Sequence, residues 1–139
     1  MQVVKASFAE LPGISRIIAA LDFSGHRFSD PRIIKRQITR GRYYLCRHND
    51  LAIGAIGLTQ SDSACQIFAI ASTQKGAGRA MVEFAVEQCK TDGVPKLWCW
   101  SLLRYQAKGF YEKMGFEESI ILRKQWYGED CYFFGKVIL

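Results

Sequence analysis

Cys65-Gln-Ile-Phe-Ala-Ile-Ala71, followed after two residues by Gln74-Lys75-Gly76-Ala77-Gly78-Arg79-Ala80, is the stretch on which the fold turns. The first run is apolar and β-prone. The second is a glycine-rich turn, and it opens a segment in which Met81, Val82, Ala85, Val86 and Cys89 fall on one helical face. The order is therefore strand, loop, helix. A glycine turn entering a helix gathers unpaired backbone N–H groups and the positive end of the helix dipole at one point, which suits an anion. Lys75 and Arg79 add charge there. Two familiar phosphate loops do not fit. A P-loop carries Lys-Ser/Thr after its last glycine, where this chain has Arg79-Ala80, and a dinucleotide fingerprint needs a third glycine and a later acidic residue.

The rest of the chain alternates in the same way. Val3 to Phe8 reads as a strand, and Leu11, Ile14, Ile17, Ile18 and Leu21 make a helical stripe. A polar and aromatic loop, Asp22 to Asp30, leads to a second helix that starts at Pro31 under an Asp30 cap and ends at Gly41. Tyr43 to Arg47 and Leu51 to Thr59 form a hairpin around His48-Asn49-Asp50, and Gln60 to Ser63 turn the chain into the Cys65 strand. After the central helix come a strand at Leu97 to Ser101, a short helix within Tyr105 to Phe116 closed by Gly115, and a hairpin of Ser119 to Trp126 with Cys131 to Val137. The order β-α-α-β-β-β-α-β-α-β-β, with no repeat or linker, predicts one α/β (α+β) domain over residues 1–139.

Composition agrees. At 139 residues, 49% of them hydrophobic, the chain can bury one real core and is too short for two. No run nears the roughly 20 apolar residues of a membrane span, and no signal-peptide stretch opens the chain, so a cytoplasmic protein without membrane association is expected. Five cysteines at 46, 65, 89, 99 and 131 have no metal-ligand spacing, so buried free thiols and no metal are expected. The formal charge of +6 is uneven. Arg27, Arg32, Lys35, Arg36, Arg40, Arg42 and Arg47 stand against one acid, Asp30. A solvated basic helix face and a surface for an acceptor or partner both account for that cluster.

The glycine turn and the later Ala107, Phe110, Tyr111, Gly115 and Phe116 together resemble two motifs of the GNAT family, the GCN5-related N-acetyltransferases. The likeness spans Cys65 to Phe116 well and the flanks loosely. It implies the GNAT fold, a mixed central sheet flanked by helices. It also implies an acetyl-CoA-dependent N-acetyltransferase that moves the acetyl group directly to a primary amine, with acetyl-CoA as co-substrate. By the resemblance, Gln74, Lys75, Gly76, Ala77, Gly78, Arg79 and Ala80 hold the pyrophosphate, and backbone N–H groups of Phe68, Ala69, Ile70 and Ala71 hold the acetyl carbonyl. Tyr111 takes the place of the tyrosine that protonates the departing thiolate, and an ordinary phenol is protonated at neutral pH. A tyrosine packed beside Phe110 is the alternative reading.

The sequence also departs from the family pattern. Cys65 to Thr73 contains no carboxylate to act as base. His26, in the loop between the first two helices, is one candidate, since imidazole exchanges protons near neutrality. Glu129, Asp130 and a water chain are rivals. Thr73 or Gln74 fills a place where the family prefers Gln or Arg, and Arg104 stands where an asparagine touches the pantetheine arm. Arg104 is therefore assigned to the cofactor or to the acceptor. Half-apolar aromatics at Tyr43, Tyr44, Trp98, Trp100, Trp126 and Tyr127 favour a small-molecule amine over a free polycation, which the positive surface would repel. A nucleic acid is not the expected partner, and the apolar final hairpin permits a homodimer. The alternatives to a small-molecule transferase are acetylation of a protein or peptide amine, a non-catalytic module that binds CoA or a partner, and a basic nucleic-acid binder using the Arg27 to Arg47 segment.

Overall fold

A computed structural model describes residues 1–139 as seven strands and four helices. In chain order they are β1 (Gln2–Lys5), α1 (Leu11–Ile18), α2 (Pro31–Thr39), β2 (Tyr43–His48), β3 (Leu51–Ser61), β4 (Ala64–Ser72), α3 (Ala77–Asp92), β5 (Lys96–Leu102), α4 (Lys108–Lys113), β6 (Glu118–Trp126) and β7 (Glu129–Val137). The strands follow one another in the order β1-β2-β3-β4-β5-β7-β6 in a mixed sheet, so the expected α/β class holds. The chain divides into two compact units, Met1–Leu58 with Phe68–Phe84, and Thr59–Ile67 with Ala85–Leu139.

In the first unit β1 pairs antiparallel with β2, from Gln2↔Arg47 to Lys5↔Tyr44. β2 pairs antiparallel with β3, from Tyr43↔Gly57 to His48↔Leu51. The hairpin turn between them has Asn49 and Asp50 at φ 51° and 63°, the double left-handed geometry that matches strand twist. Ile14, Ile18 and Ile34 are fully buried and Ile17 and Ile38 nearly so, each stabilising by about 1.5–3 kcal/mol. The apolar stripes of α1 and α2 thus supply the core. Met81 on α3 sits over Gly54 of β3, where a Cβ would come within 2.7 Å of its Cε. The glycine leaves room for the end of the Met81 side chain.

In the second unit β4 runs parallel to β5 from Ala64↔Lys96 to Ile67↔Cys99. A parallel pair requires a crossover, and α3 provides it. β5 pairs antiparallel with β7 along its whole length, and β6 pairs with β7 from Glu118↔Gly135 onward. Leu97, Cys99, Leu102, Tyr111, Phe116, Cys131 and Phe134 are buried here.

Two expected boundaries moved. The first strand stops at Lys5 rather than Phe8, because the Ser7 N–H donates to the Glu10 carboxylate at 2.8 Å and starts a 3-10 turn. Phe8 is left 54% exposed. The single short helix expected within Tyr105 to Phe116 is a 3-10 turn at Leu103–Tyr105, a left-handed Gln106 (φ 53°), then α4. Its end is as expected. Gly115, at φ 83°, donates its N–H to Glu112 O, and Phe116 donates to Tyr111 O, both at 3.0 Å, which closes the helix as a Schellman motif.

Candidate active site

The glycine turn lies between the end of β4 and the first turn of α3. β4 runs to Ser72, but its ladder with β5 stops at Ile67, so Phe68 to Ser72 have no strand on that side. Thr73 fixes the end of β4 to β3, its N–H donating to Ile53 O at 2.8 Å and its hydroxyl at 3.3 Å. Residues 72–76 are exposed and Gly76 has φ 91°, a conformation that costs a side-chain-bearing residue. Helix formation has already engaged some of the amides. Ala77 N–H donates to Gln74 O and Ala80 N–H to Gly76 O, whereas the amides of Gly76, Gly78 and Arg79 have no backbone acceptor. These three point donors at the dipole's positive end, which is where an anion is stabilised. Lys75 has no acidic partner, while Arg79 shares its charge with Glu83 at 2.8 Å. The donor set fits a phosphate group. It consists of amides, so it leaves no side-chain signature beyond the glycines.

The four residues Phe68, Ala69, Ile70 and Ala71 are held from β3. The outer end of the Phe68 ring sits over Gly57, which has no Cβ, and the ring meets that of Tyr43 edge-on at 5.3 Å. Tyr43 is buried, and burial alone drives its phenol far above the ordinary value. It is a packing tyrosine whose buried phenol keeps its proton at neutral pH.

Tyr111 sits in the other compact unit. α4 is only six residues long, and it delivers the ring into an aromatic stack with Phe134 at 4.7 Å, edged by Phe110 and Phe116 at 5.1 Å each. The residue is fully enclosed. Burial, followed by the neighbouring Cys99 thiol, raises its phenol well above the ordinary value, so it keeps its proton. Burial likewise pushes the Cys99 thiol up to about 12, and its hydrogen bond with Tyr111 opposes that rise. The cysteine partner was not anticipated from the sequence, because nothing in the spacing of 99 and 111 marks them as neighbours.

The base candidates are less free than the sequence suggests. His26 is in a tight turn whose backbone bridges Phe23 in both directions, at 3.2 and 3.1 Å, and its ring meets Phe28 edge-on at 4.6 Å. The Glu129 carboxylate is gripped by Arg104, with Nε at 3.1 Å and Nη2 closer. Asp130 accepts the Lys124 N–H at 2.8 Å. Arg104, expected at the cofactor or acceptor, is thus tied to the start of β7.

Two anchors escaped the sequence reading. Asp22 latches the Asp22–Asp30 loop by accepting from the Ser29 N–H at 3.0 Å and from its hydroxyl, and Ser15 donates to Ser29 O at 2.7 Å. Arg47, counted among the free basic residues, is paired with Glu10. Neither contact has a sequence signal, since the partners are 7, 14 and 37 residues apart. All five cysteines are buried and unbridged, and no helix is long and apolar enough to cross a membrane.

Comparison with known proteins fits this geometry. The profile of the acetyltransferase (GNAT) domain matches residues 39–118. A search of curated proteins by sequence finds no match. Among solved structures, Ard1 from Thermoplasma volcanium superposes with a TM-score of 0.84 at 15% identity, covering 99% of this chain and 97% of that one. The ribosomal-protein-S18-alanine N-acetyltransferase from Escherichia coli gives 0.80 at 19% identity, covering 99% and 93%. An aminoglycoside 6'-N-acetyltransferase complexed with coenzyme A gives 0.81 at 14% identity, covering 100% and 98%.

Proposed function

The chain belongs to the GNAT family of acetyltransferases, and from that membership we propose that residues 1–139 act as one acetyl-CoA-dependent N-acetyltransferase domain whose acceptor is a primary amine on a small molecule. One observation carries the reading: a stretch of β4, Phe68 to Ser72, with no strand on its β5 side runs directly into a turn with three unengaged amides at the start of α3. A linear molecule with an amide-bearing arm and a pyrophosphate is complementary to that sequence of donors.

The chemistry required of the chain follows. The amine nitrogen attacks the thioester carbonyl, a C–N bond forms, and the C–S bond breaks as charge passes from oxygen to sulfur. Amides of Phe68 to Ala71 stabilise the oxygen, because fixed donors need no reorganisation when charge develops. Gly76, Gly78 and Arg79 hold the pyrophosphate. Tyr111, protonated throughout the physiological range, donates to the thiolate. The amine's proton leaves through His26 or through water, since Glu129 and Asp130 are engaged elsewhere. Trp98, Trp100 and Phe133, half-buried and within 5.2–5.7 Å of one another, suit an acceptor that is partly apolar.

A second reading, a CoA-binding module without turnover, is favoured by the absence of any carboxylate within Cys65 to Thr73. Calorimetric titration with acetyl-CoA, with thiol release measured against small amines and peptide N-termini, separates the two. Gly78→Pro removes one unengaged amide from the first turn of α3, where proline is tolerated. It should weaken acetyl-CoA about tenfold, the worth of one charge-assisted hydrogen bond. Turnover of small amines supports the reading, and turnover of peptides alone replaces its acceptor. Binding without turnover gives the module, and no binding by the wild type rejects both.

A further inference from the structure

We propose that the outward face of α2 is a docking surface for the phosphodiester backbone of a nucleic acid. The inward face of the helix is fixed: Asp30 caps it by accepting from the Arg32 N–H at 2.9 Å, Pro31 starts it, and Ile34 and Ile38 are buried. The outward face carries Arg32, Lys35, Arg36 and Arg40 around a shallow depression. Their spacing of three and four residues makes one continuous stripe, with Arg32, Arg36 and Arg40 rising about 6 Å from each to the next.

What distinguishes this face is how its charge is left. On α3 and α4 most cations have an acid on the same helix, Arg79 with Glu83, Lys90 with Glu87 and Lys108 with Glu112, and the cations left without one, Lys113 on α4 and Arg16 on α1, stand singly. On α2 only Arg32 has an acidic partner, the capping Asp30. Lys35, Arg36 and Arg40 have none, and Arg36 lies four residues from Arg32 and from Arg40, a spacing at which like charges destabilise a helix. The dipole rewards a cation at Arg40, beyond the last turn, but not one in the middle. Lys5, whose amine lies beside Gly41, and Arg42, bound to Gln37 at 3.1 Å, extend the positive field past the helix end. An ordinary solvated face does not require this arrangement. A polyanion does.

Nucleic acid is favoured over an acidic polypeptide by what the stripe lacks. None of the exposed large hydrophobic side chains lies between residues 27 and 47, and a protein partner would need apolar anchors at the centre of its footprint. Backbone phosphates need only arginine and lysine, and the Arg36 and Arg40 forks, unlike that of Arg32, are open to paired oxygens. The sequence alone points away from nucleic acid because it cannot tell a self-neutralised face from an unpaired one.

The test uses the intact chain and fluorescence anisotropy with an RNA duplex of about 20 base pairs, a DNA duplex of the same sequence, and a polyglutamate peptide, over a salt series. We expect binding to a duplex that weakens about forty-fold between 50 and 200 mM salt, as three phosphate contacts imply at a slope near 0.9 per contact. The Lys35→Ala/Arg36→Ala/Arg40→Ala variant should bind at least tenfold more weakly, with a slope reduced by about two to three. Lys108→Ala/Lys113→Ala, at the two ends of α4, should bind as the wild type does, and thermal melts verify that both variants fold. The RNA and DNA arms identify which backbone is preferred. No duplex binding at low salt, an unaffected triple variant, an equal loss in the α4 variant, or binding of polyglutamate in place of either duplex would each overturn the proposal.

Discussion

Gly57 of β3 lies directly beneath the ring of Phe68 on β4, so that a Cβ at Gly57 would overlap three of the ring's outer atoms. The ring belongs to the residue that begins the stretch of β4 with no strand on its β5 side. Gly57→Ala should therefore destabilise the protein by about 1–3 kcal/mol, the usual cost of overpacking, and weaken acetyl-CoA binding together with it. Gly109→Ala is the control. No atom lies within 4 Å of its Cβ position in α4, and alanine in a helix should add about 0.5–1 kcal/mol. Urea melts of both variants read the contrast.

Tyr111→Phe should lower kcat by about a hundredfold or more while leaving the acetyl-CoA dissociation constant near that of wild type, because only proton donation is lost. Cys99→Ala, which removes the thiol beside the phenol, should lower kcat less and keep the aromatic stack with Phe134. Steady-state kinetics with calorimetry on each variant measure the difference. An equal loss of kcat in the two would mean that the phenol acts only together with the thiol.

Stability should fall at alkaline pH. Cys99 is raised from the ordinary 9 to about 12, and Tyr43 and Tyr111 are raised above 10. A folded-state value above the unfolded one means that the unfolded chain loses its proton first. The stabilisation is complete below about pH 9 and is lost as pH rises toward 12, at up to about 1.4 kcal/mol per pH unit for each such group. Urea titrations between pH 7 and 10.5 should trace the decline, and Cys99→Ala should flatten it. A level profile would contradict the buried-thiol account.

Arg104→Ala should leave stability nearly unchanged, because its pair with Glu129 is about half exposed on the arginine side. Its engagement there also predicts an acetyl-CoA dissociation constant within about twofold of wild type. A tenfold loss would return Arg104 to the cofactor, as the family resemblance suggests.

All five thiols should resist Ellman's reagent in the native protein and react once it is denatured, since each is buried and unbridged. A fast native thiol would identify a cysteine that local opening exposes.

Much of the fold was legible because it rests on local patterns. The isoleucine stripes of α1 and α2 set their inward faces, the Asn49-Asp50 pair sets a hairpin, and Gly115-Phe116 closes α4, each through contacts within a few residues. The Gly76-Ala77-Gly78 turn belongs with these, since a positive φ and a helix start are short-range properties. The first strand was read too long because a Ser7–Glu10 capping box competed with β-propensity.

What only the tertiary structure decided are relationships between residues far apart in the chain. That the β4–β5 ladder stops at Ile67↔Cys99, that Tyr111 faces Cys99, that Arg104 holds Glu129, and that Lys35, Arg36 and Arg40 find no acid all depend on where distant side chains arrive. The sequence alone determined which residues could be buried, capped or charged, because burial and capping repeat with the local period of the helix or strand. Pairing carries no such period, and it settled which charges and donors were left for a ligand.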